Sequence, residues 1–315
     1  MSSGLKIAVM GSGGIGGYFG GRLADAANVT GSDVSFIARG AHLAAMQKDG
    51  LRINSPLGDA HIPSVKATDD PATIGPVDIV MFGVKLYDVE EAAELCKPLI
   101  GPDTAVISFL NGVDSEARLQ AILGAEAAVG GVARIPSNIA APGVIAHMGP
   151  FAELDFGELD GRDSPRLNAF HAACEGAGIR SDLVDNIETA IWLKLAILSP
   201  FASVCCMTRL PGRIMVEDPH VHEVAVAAMR EVIAVARAKG IDLPDDALES
   251  RQDMMNGFVN AKPSMLHDLE AGKRIELNGL QGAVVRMGVE LDVPTPVHQV
   301  VYAALKPYLN GPPKD

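Results

Sequence analysis

Positive charge is scarce in this chain. Its 315 residues hold 26 Lys and Arg against 39 Asp and Glu, a formal net charge of −13, with no basic run anywhere. Nucleic acids and anionic membranes are held by clustered Lys and Arg, so both are excluded as expected partners. Cysteine is sparse too: Cys96, Cys174 and the adjacent Cys205-Cys206 show no framework spacing. That argues against a disulfide scaffold and for a reduced, cytoplasmic setting. The chain enters an apolar run near its start without the pattern of a signal peptide. Long hydrophobic runs are absent as well. The longest nearly apolar stretch, Leu195 to Met207, reads as too short to span a bilayer and contains Pro200. His220 and His222 lie two apart on an expected helix, do not share a face, and make a poor metal pair, so no metal site is indicated. Nothing resembles a Ser-His-Asp or Cys-His arrangement.

Glycine and aliphatic residues are what the chain has in quantity: 33 Gly, and 48% hydrophobic residues with few aromatics. At this length that suits an α/β protein with two separate cores. The organising stretch is Leu5 to Arg39. An apolar run, Leu5 to Met10, reads as a buried strand, and Gly11-Ser12-Gly13-Gly14-Ile15-Gly16 follows as a turn. Tyr18 to Ala27 reads as a helix and Asp33 to Ala38 as a second strand. This is the order of a first βαβ unit for dinucleotide binding. Gly11 permits the tight turn, Gly13 lets backbone N–H groups approach a pyrophosphate, and Gly16 lets helix and strand pack closely. A glycine motif alone can be an ordinary flexible turn; its place between strand and helix is what favours a nucleotide.

The second strand ends in Ala38-Arg39-Gly40, where NAD-specific units place a carboxylate. Arg39 offers instead a fork of donors suited to a 2′-phosphate, which points to NADP; a solvated surface arginine is the alternative. Leu51 to Ala67 alternates around Pro56-Leu57-Gly58-Asp59 as a hairpin. Val77 to Val84 reads as a strand with Lys85 at its carboxyl end, where open α/β sheets bind ligands. Thr104 to Leu110 ends in Asn111-Gly112, either a ribose or substrate ligand or a plain turn. Ala127 to Arg134, Val144 to His147 and Ala152 to Phe156 are expected to close the sheet with antiparallel members. Near Asp185 helical periodicity replaces alternation. The expected fold is therefore α/β, a Rossmann-type dinucleotide-binding domain over 1–185 followed by an all-α domain over 186–315. Asp218-Pro219 and Thr295-Pro296 read as helix starts.

In the helical half, Lys194 falls inside an apolar stripe with Ile187, Ile191 and Leu198. A lysine so placed is either a proton donor with an altered pKa or a snorkelling side chain. Ile275-Glu276-Leu277-Asn278 reads as the start of a helix, with Glu276 either a dipole-complementing charge or a cleft residue. Ser264, after Pro263, reads as a helix cap.

The chain resembles the ketopantoate reductase family across nearly its whole length. The match lies in Gly11 to Gly16, Phe36 to Leu43, Gly83-Val84-Lys85, Leu110 to Val113, Ala141 to Ile145 and Phe156 to Gly161. It continues in Trp192-Leu193-Lys194-Leu195, Pro263 to Gly272, Ile275-Glu276 and Val293 to Pro296. The resemblance implies NADPH-dependent reduction of a 2-oxo acid to a 2-hydroxy acid, with 2-dehydropantoate, giving pantoate, as the leading substrate. It implies Lys194 as general acid and Glu276 as the group that bonds the substrate hydroxyl and orients the lysine. Gly11, Ser12, Gly13, Gly14, Ile15, Gly16, Arg39, Lys85 and Asn111 would hold the cofactor. Asn111, Ser264, Glu276 and the residue at Leu198 would face the substrate. Leu198 and Ala202 stand where the best-known members carry asparagines, and Asn278 where Asp is frequent. An apolar grip of that kind fits a different small 2-oxo acid or carbonyl compound as the alternative substrate. A non-catalytic NADP-binding module is the remaining alternative. A monomer or homodimer is expected.

Overall fold

The computed structural model describes residues 4–313. They form two compact units, one comprising residues up to Leu110 with Ser115–Ile187, the other Asn111–Asp114 with the residues from Glu188 onward.

The first unit runs β1 (Lys6–Met10), α1 (Gly14–Asp25), a short α2 (Ala27–Thr30), β2 (Asp33–Ile37), α3 (Gly40–Asp49), β3 (Leu51–Asn54), β4 (Ala60–Ile62), β5 (Lys66–Thr68) and β6 (Val77–Phe82). It continues with α4 (Val89–Cys96), β7 (Ile100–Ser108), α5 (Ser115–Leu123), β8 (Ala128–Arg134), β9 (Ser137–Ala141), β10 (Val144–His147), β11 (Glu153–Gly157), α6 (Pro165–Gly176) and β12 (Arg180–Leu183). Eight strands form one sheet in the order β12-β11-β8-β7-β6-β1-β2-β5. Every neighbouring pair is parallel except β8 with β11. Helices cover the parallel strands on both faces, which is why their apolar runs are continuous: Ile7, Val9, Ile79, Val80 and Ile107 are fully buried. Strand order turns back at β1, flanked by β2 and β6, and the carboxyl ends there form the crevice in which such sheets take ligands.

Val144 to His147 does not close this sheet. It is β10 of a second, four-stranded sheet, β4-β3-β10-β9, pairing with β3 in parallel and with β9 antiparallel. The physical reason lies in α1, which carries glycine on two faces. A Cβ on Gly20 would come within 2.6 Å of Val9 in the main sheet. One on Gly17 would come within 2.6 Å of Ile145, and one on Gly21 within 2.7 Å of Ile53, both in the second sheet. Helix α1 is therefore held between two sheets, each closer than any side chain would allow. It also starts at Gly14, four residues before Tyr18.

The second unit is helical: α7 (Ile187–Thr208), α8 (Arg213–Glu217), α9 (Pro219–Ala238), α10 (Ala247–Met255), α11 (Ser264–Glu270), α12 (Gln281–Glu290) and α13 (Pro296–Leu305). Its one β feature among the described residues is an isolated bridge, Arg274 with Asn310. Asp218 caps α9, its Oδ1 accepting from the N–H groups of His220 at 2.9 Å and Val221 at 3.0 Å. Helix α7 is longer than the apolar stretch suggested. Its 22 residues include a window of mean hydropathy 1.8, so length and composition alone would let it cross a membrane. That window is 72% buried within the protein, as befits a core helix of a folded unit. Inside it, Pro200 lacks the N–H that would meet the Ala196 carbonyl.

Around that break lies a polar cluster which sequence reading missed. Ser199 Oγ meets His298 Nε2 at 3.0 Å, and His298 Nδ1 meets Glu231 Oε2 at 2.6 Å. Gln281 Nε2 donates to the Ser199 carbonyl at 3.1 Å and to Ser203 Oγ at 3.0 Å. The order Ser-His-Glu is that of a nucleophilic triad, but Ser199 and His298 are both 0% exposed. No substrate reaches them, and their role is to tie α7, α9, α12 and α13 together.

Candidate active site

In the first unit, the glycine turn leaves β1 with Gly11 at φ +92, and a Cβ there would press on the Gly83 carbonyl at 2.8 Å. Only glycine fits, because the turn must pass directly over the carboxyl end of β6. The N–H groups of Gly11 and Ser12 both donate to the Ile37 carbonyl at 3.3 Å, as does Ser12 Oγ at 3.0 Å. The buried Ser12 thus anchors the turn to β2 through both its hydroxyl and its N–H. A Cβ on Gly13 would meet nothing within 4 Å, so the turn is open on that side. Gly13 is also the N-cap of α1, makes no side-chain cap bond, and is followed by a first turn free of acidic residues. The leading N–H groups of α1 therefore face an uncluttered, electropositive opening, which fits a dinucleotide pyrophosphate. Ile15 is part-buried in that first turn. A Cβ on Gly14 would collide with the main chain of Ser137 in β9.

Arg39 follows β2 in extended conformation and is the N-cap residue of α3. Its Nη2 donates to Glu91 Oε1 at 2.9 Å. Lys85 caps the single 3-10 turn that follows β6 and is part-buried. A further residue at this end escaped sequence reading. His42, on α3, receives the Gly143 N–H at Nδ1 at 3.0 Å, which puts the ring proton on Nε2. Burial lowers its pKa, against an opposing contribution from the Ser12 backbone. The signal available was the spacing Arg39-x-x-His42.

In the second unit, Lys194 sits in the middle of α7 with its Nζ shielded from solvent. Leu198, one turn on, is part-exposed, whereas Ala202, two turns on, is 0% exposed and packs inside the unit. Glu276 is 5% exposed. It does not begin a helix: it lies in the turn before α12, five residues ahead of Gln281, with its carbonyl accepting from Gly279 and Leu280. Asn278 and Gly279, both poor helix formers, delay the helix there. Asn278 is gripped on both sides, its carbonyl by Arg286 at 2.9 Å and its Oδ1 by the Tyr302 hydroxyl at 2.9 Å.

The Asn111–Asp114 loop, although it leaves β7, groups with this unit, where Arg286 Nη2 reaches Asp114 Oδ2 at 3.1 Å. Asn111, Lys194, Leu198, Ser264 and Glu276 thus share one unit, and the glycine turn, Arg39 and Lys85 the other. Ser264 is exposed and is the first residue of α11; the N-cap is Pro263, so Ser264 is not a cap. Arg251 was not anticipated: its Nη1 lies 3.5 Å from the carbonyl of Leu193, next to Lys194. Burial pushes the Cys205 and Cys206 thiols up to about 12, which leaves them as packing groups.

The family model for ketopantoate reductase PanE/ApbA matches residues 7–161, and that for its C terminal matches residues 186–309. The crystal structure of 2-dehydropantoate 2-reductase from Geobacter metallireducens GS-15 is 30% identical, covers 96% of this chain and 99% of its own, and superposes with a TM-score of 0.89. The 2-dehydropantoate 2-reductase of Archaeoglobus fulgidus is 31% identical over 307 residues, 97% of this chain and 98% of the relative. A D-mandelate dehydrogenase solved with NADH and anilino(oxo)acetate shares the fold, with a TM-score of 0.86 over 96% of this chain and 98% of its own at 20% identity. The chain belongs to the ketopantoate reductase family and is an NADP-dependent oxidoreductase acting on a CH–OH group.

Proposed function

We propose that this protein reduces a 2-oxo acid to its 2-hydroxy acid with NADPH, with 2-dehydropantoate as leading substrate and pantoate as product. The observation that carries the reading is a lysine on the core helix whose ammonium is shut off from solvent, in the same unit as buried Glu276. When bound, NADPH supplies the hydride. As the hydride reaches the carbonyl carbon, negative charge builds on its oxygen, and Lys194 Nζ both neutralises that charge and gives up the proton. Water then reprotonates the lysine. Glu276 accepts from the substrate hydroxyl and keeps Lys194 turned toward the reacting oxygen. Ser264 and Asn111 hold the substrate, the serine at its carboxylate. In the other unit, the backbone of Gly11 to Gly16 takes the pyrophosphate, and Arg39 and Lys85 take the phosphate charge of the adenosine end. The four free, buried cysteines suit a reducing, cytoplasmic setting.

Purified protein with NADPH and 2-dehydropantoate should consume the reduced-nicotinamide absorbance, and Lys194→Ala should nearly abolish this. Equal rates for the two proteins would remove Lys194 from the mechanism. Leu198, apolar and part-exposed one turn beyond Lys194, favours a second reading, in which the substrate is another 2-oxo acid with an apolar side chain. A panel of branched, aromatic and unsubstituted 2-oxo acids decides between them by kcat/KM.

A further inference from the structure

A dinucleotide fold that prefers NAD places a carboxylate at the end of its second strand, and β2 has none. The fold nevertheless delivers one to the same place from elsewhere. Glu91, in the first turn of α4, reaches across to Arg39, the residue that follows β2 and Ala38, and accepts from its Nη2 at 2.9 Å.

The neighbouring glutamate behaves differently. Glu90 is held by both Nε and Nη2 of Arg118 at 2.7 Å, and Arg118 is itself fixed to the Leu86 carbonyl at 2.8 Å. That bidentate bond holds the Glu90 carboxyl below the ordinary range. Glu90 is thus committed to the packing of α4 against α5, and Glu91 alone is turned to Arg39.

The Arg39–Glu91 pair is a single contact with both side chains well exposed, 59% and 64%. Pairs of this kind are weak and exchange readily. A 2′-phosphate carries more charge than a carboxylate and offers Arg39 a better partner, but it then lies beside Glu91 and is repelled by it. A 2′-hydroxyl carries no charge and can donate to that same carboxylate. We propose that Glu91 tempers the cofactor preference of this enzyme: it competes with the 2′-phosphate of NADPH for Arg39 and accepts from the ribose 2′-hydroxyl of NADH, so that NADPH is favoured by less than Arg39 alone would give. This rests on the reading that Arg39 faces the adenosine ribose.

The test is equilibrium binding by titration calorimetry, without substrate, of NADPH and NADH to the full chain and to Glu91→Gln and Arg39→Ala variants. Glu91→Gln should tighten NADPH roughly two- to fivefold and leave NADH unchanged or weaker, the change shrinking as salt is raised. Arg39→Ala should weaken NADPH and spare NADH. If Glu91→Gln leaves the ratio of the two dissociation constants unaltered while Arg39→Ala shifts it, the proposal is overturned and the NADP reading stands. If neither variant shifts the ratio, Arg39 does not face the ribose, and both fall together.

Discussion

Glu231 caps a helix that is not its own. From the middle of α9, its two carboxylate oxygens accept the backbone N–H groups of Val297 at 2.7 Å and His298 at 3.0 Å, in the first turn of α13. Thr295, at the N-cap position, makes no cap bond, and its hydroxyl is buried. The same carboxylate receives His298 Nδ1, so one side chain orders the start of α13 and the polar cluster at the α7 proline together. Replacing Glu231 by Ala would leave two main-chain donors and an imidazole buried beside a void. The loss should be about 2–4 kcal/mol, since each hydrogen bond to a charged group contributes about 1.5–3 kcal/mol. Denaturant unfolding of Glu231→Ala measures it; Ser199→Ala, which removes one neutral bond, should cost only about 1 kcal/mol.

Two histidines of the first unit make stability depend on pH. His42 is lowered from its ordinary pKa by burial, and so is His147, with the Arg22 charge adding to the effect. His147 has Ser55 Oγ at Nδ1 and the Phe151 carbonyl at Nε2, a set that suits the neutral ring. A folded pKa below the unfolded one means that the unfolded chain binds more protons in the interval between them. Their contribution is therefore complete above about 6.5 and is lost as pH falls from there through the lowered folded values. Melting temperatures measured from pH 8 to 5 should decline below that point, and His147→Gln should flatten the decline. An unchanged slope in that variant would show that His147 is not a source.

Lys194→Ala should lower kcat by about 10²–10⁴-fold, the usual contribution of a general acid, while the dissociation constant for NADPH stays near the wild-type value. Lys194→Arg should recover little, since an arginine keeps the charge but does not release its proton. Rapid-quench rates together with cofactor titration separate the two effects.

Helix α1 has no room for side chains at the positions facing the second sheet. Gly21→Ala should destabilise by about 1–3 kcal/mol through overpacking against Ile53 and Leu51. Gly13→Ala, where a Cβ meets nothing, should leave stability nearly unchanged and weaken dinucleotide binding instead. Calorimetric melting with and without NADPH distinguishes the two.

The layout was readable from sequence where one local signal decides one element. The Gly11 to Gly16 turn between two apolar runs marked β1–α1–β2, and Asp218-Pro219 marked the start of α9. The second sheet was not readable, because β10 is a four-residue strand whose parallel partner β3 lies far earlier in the chain, with β5 to β8 of the first sheet between them. The Gly17 and Gly21 pair was the trace it left. The polar cluster of Ser199, His298 and Glu231 was hidden for the same reason, its members up to 99 residues apart. At the candidate site, Lys194 stood out as a charge inside an apolar helical stripe. Nothing local distinguished Arg39 paired to Glu91 from Arg39 alone.

Because Asn111–Asp114 belongs with the helices while Leu110 and Ser115 belong with the sheets, the polypeptide passes between the units three times, not once. Severing the chain after Ile187 would yield no self-sufficient halves. The helical part would lack the loop bearing Asn111, and Arg286 would lose the carboxylate of Asp114 that it holds. The two halves cannot be traded between relatives at that one boundary: a working exchange has to carry the four-residue loop along with the helices.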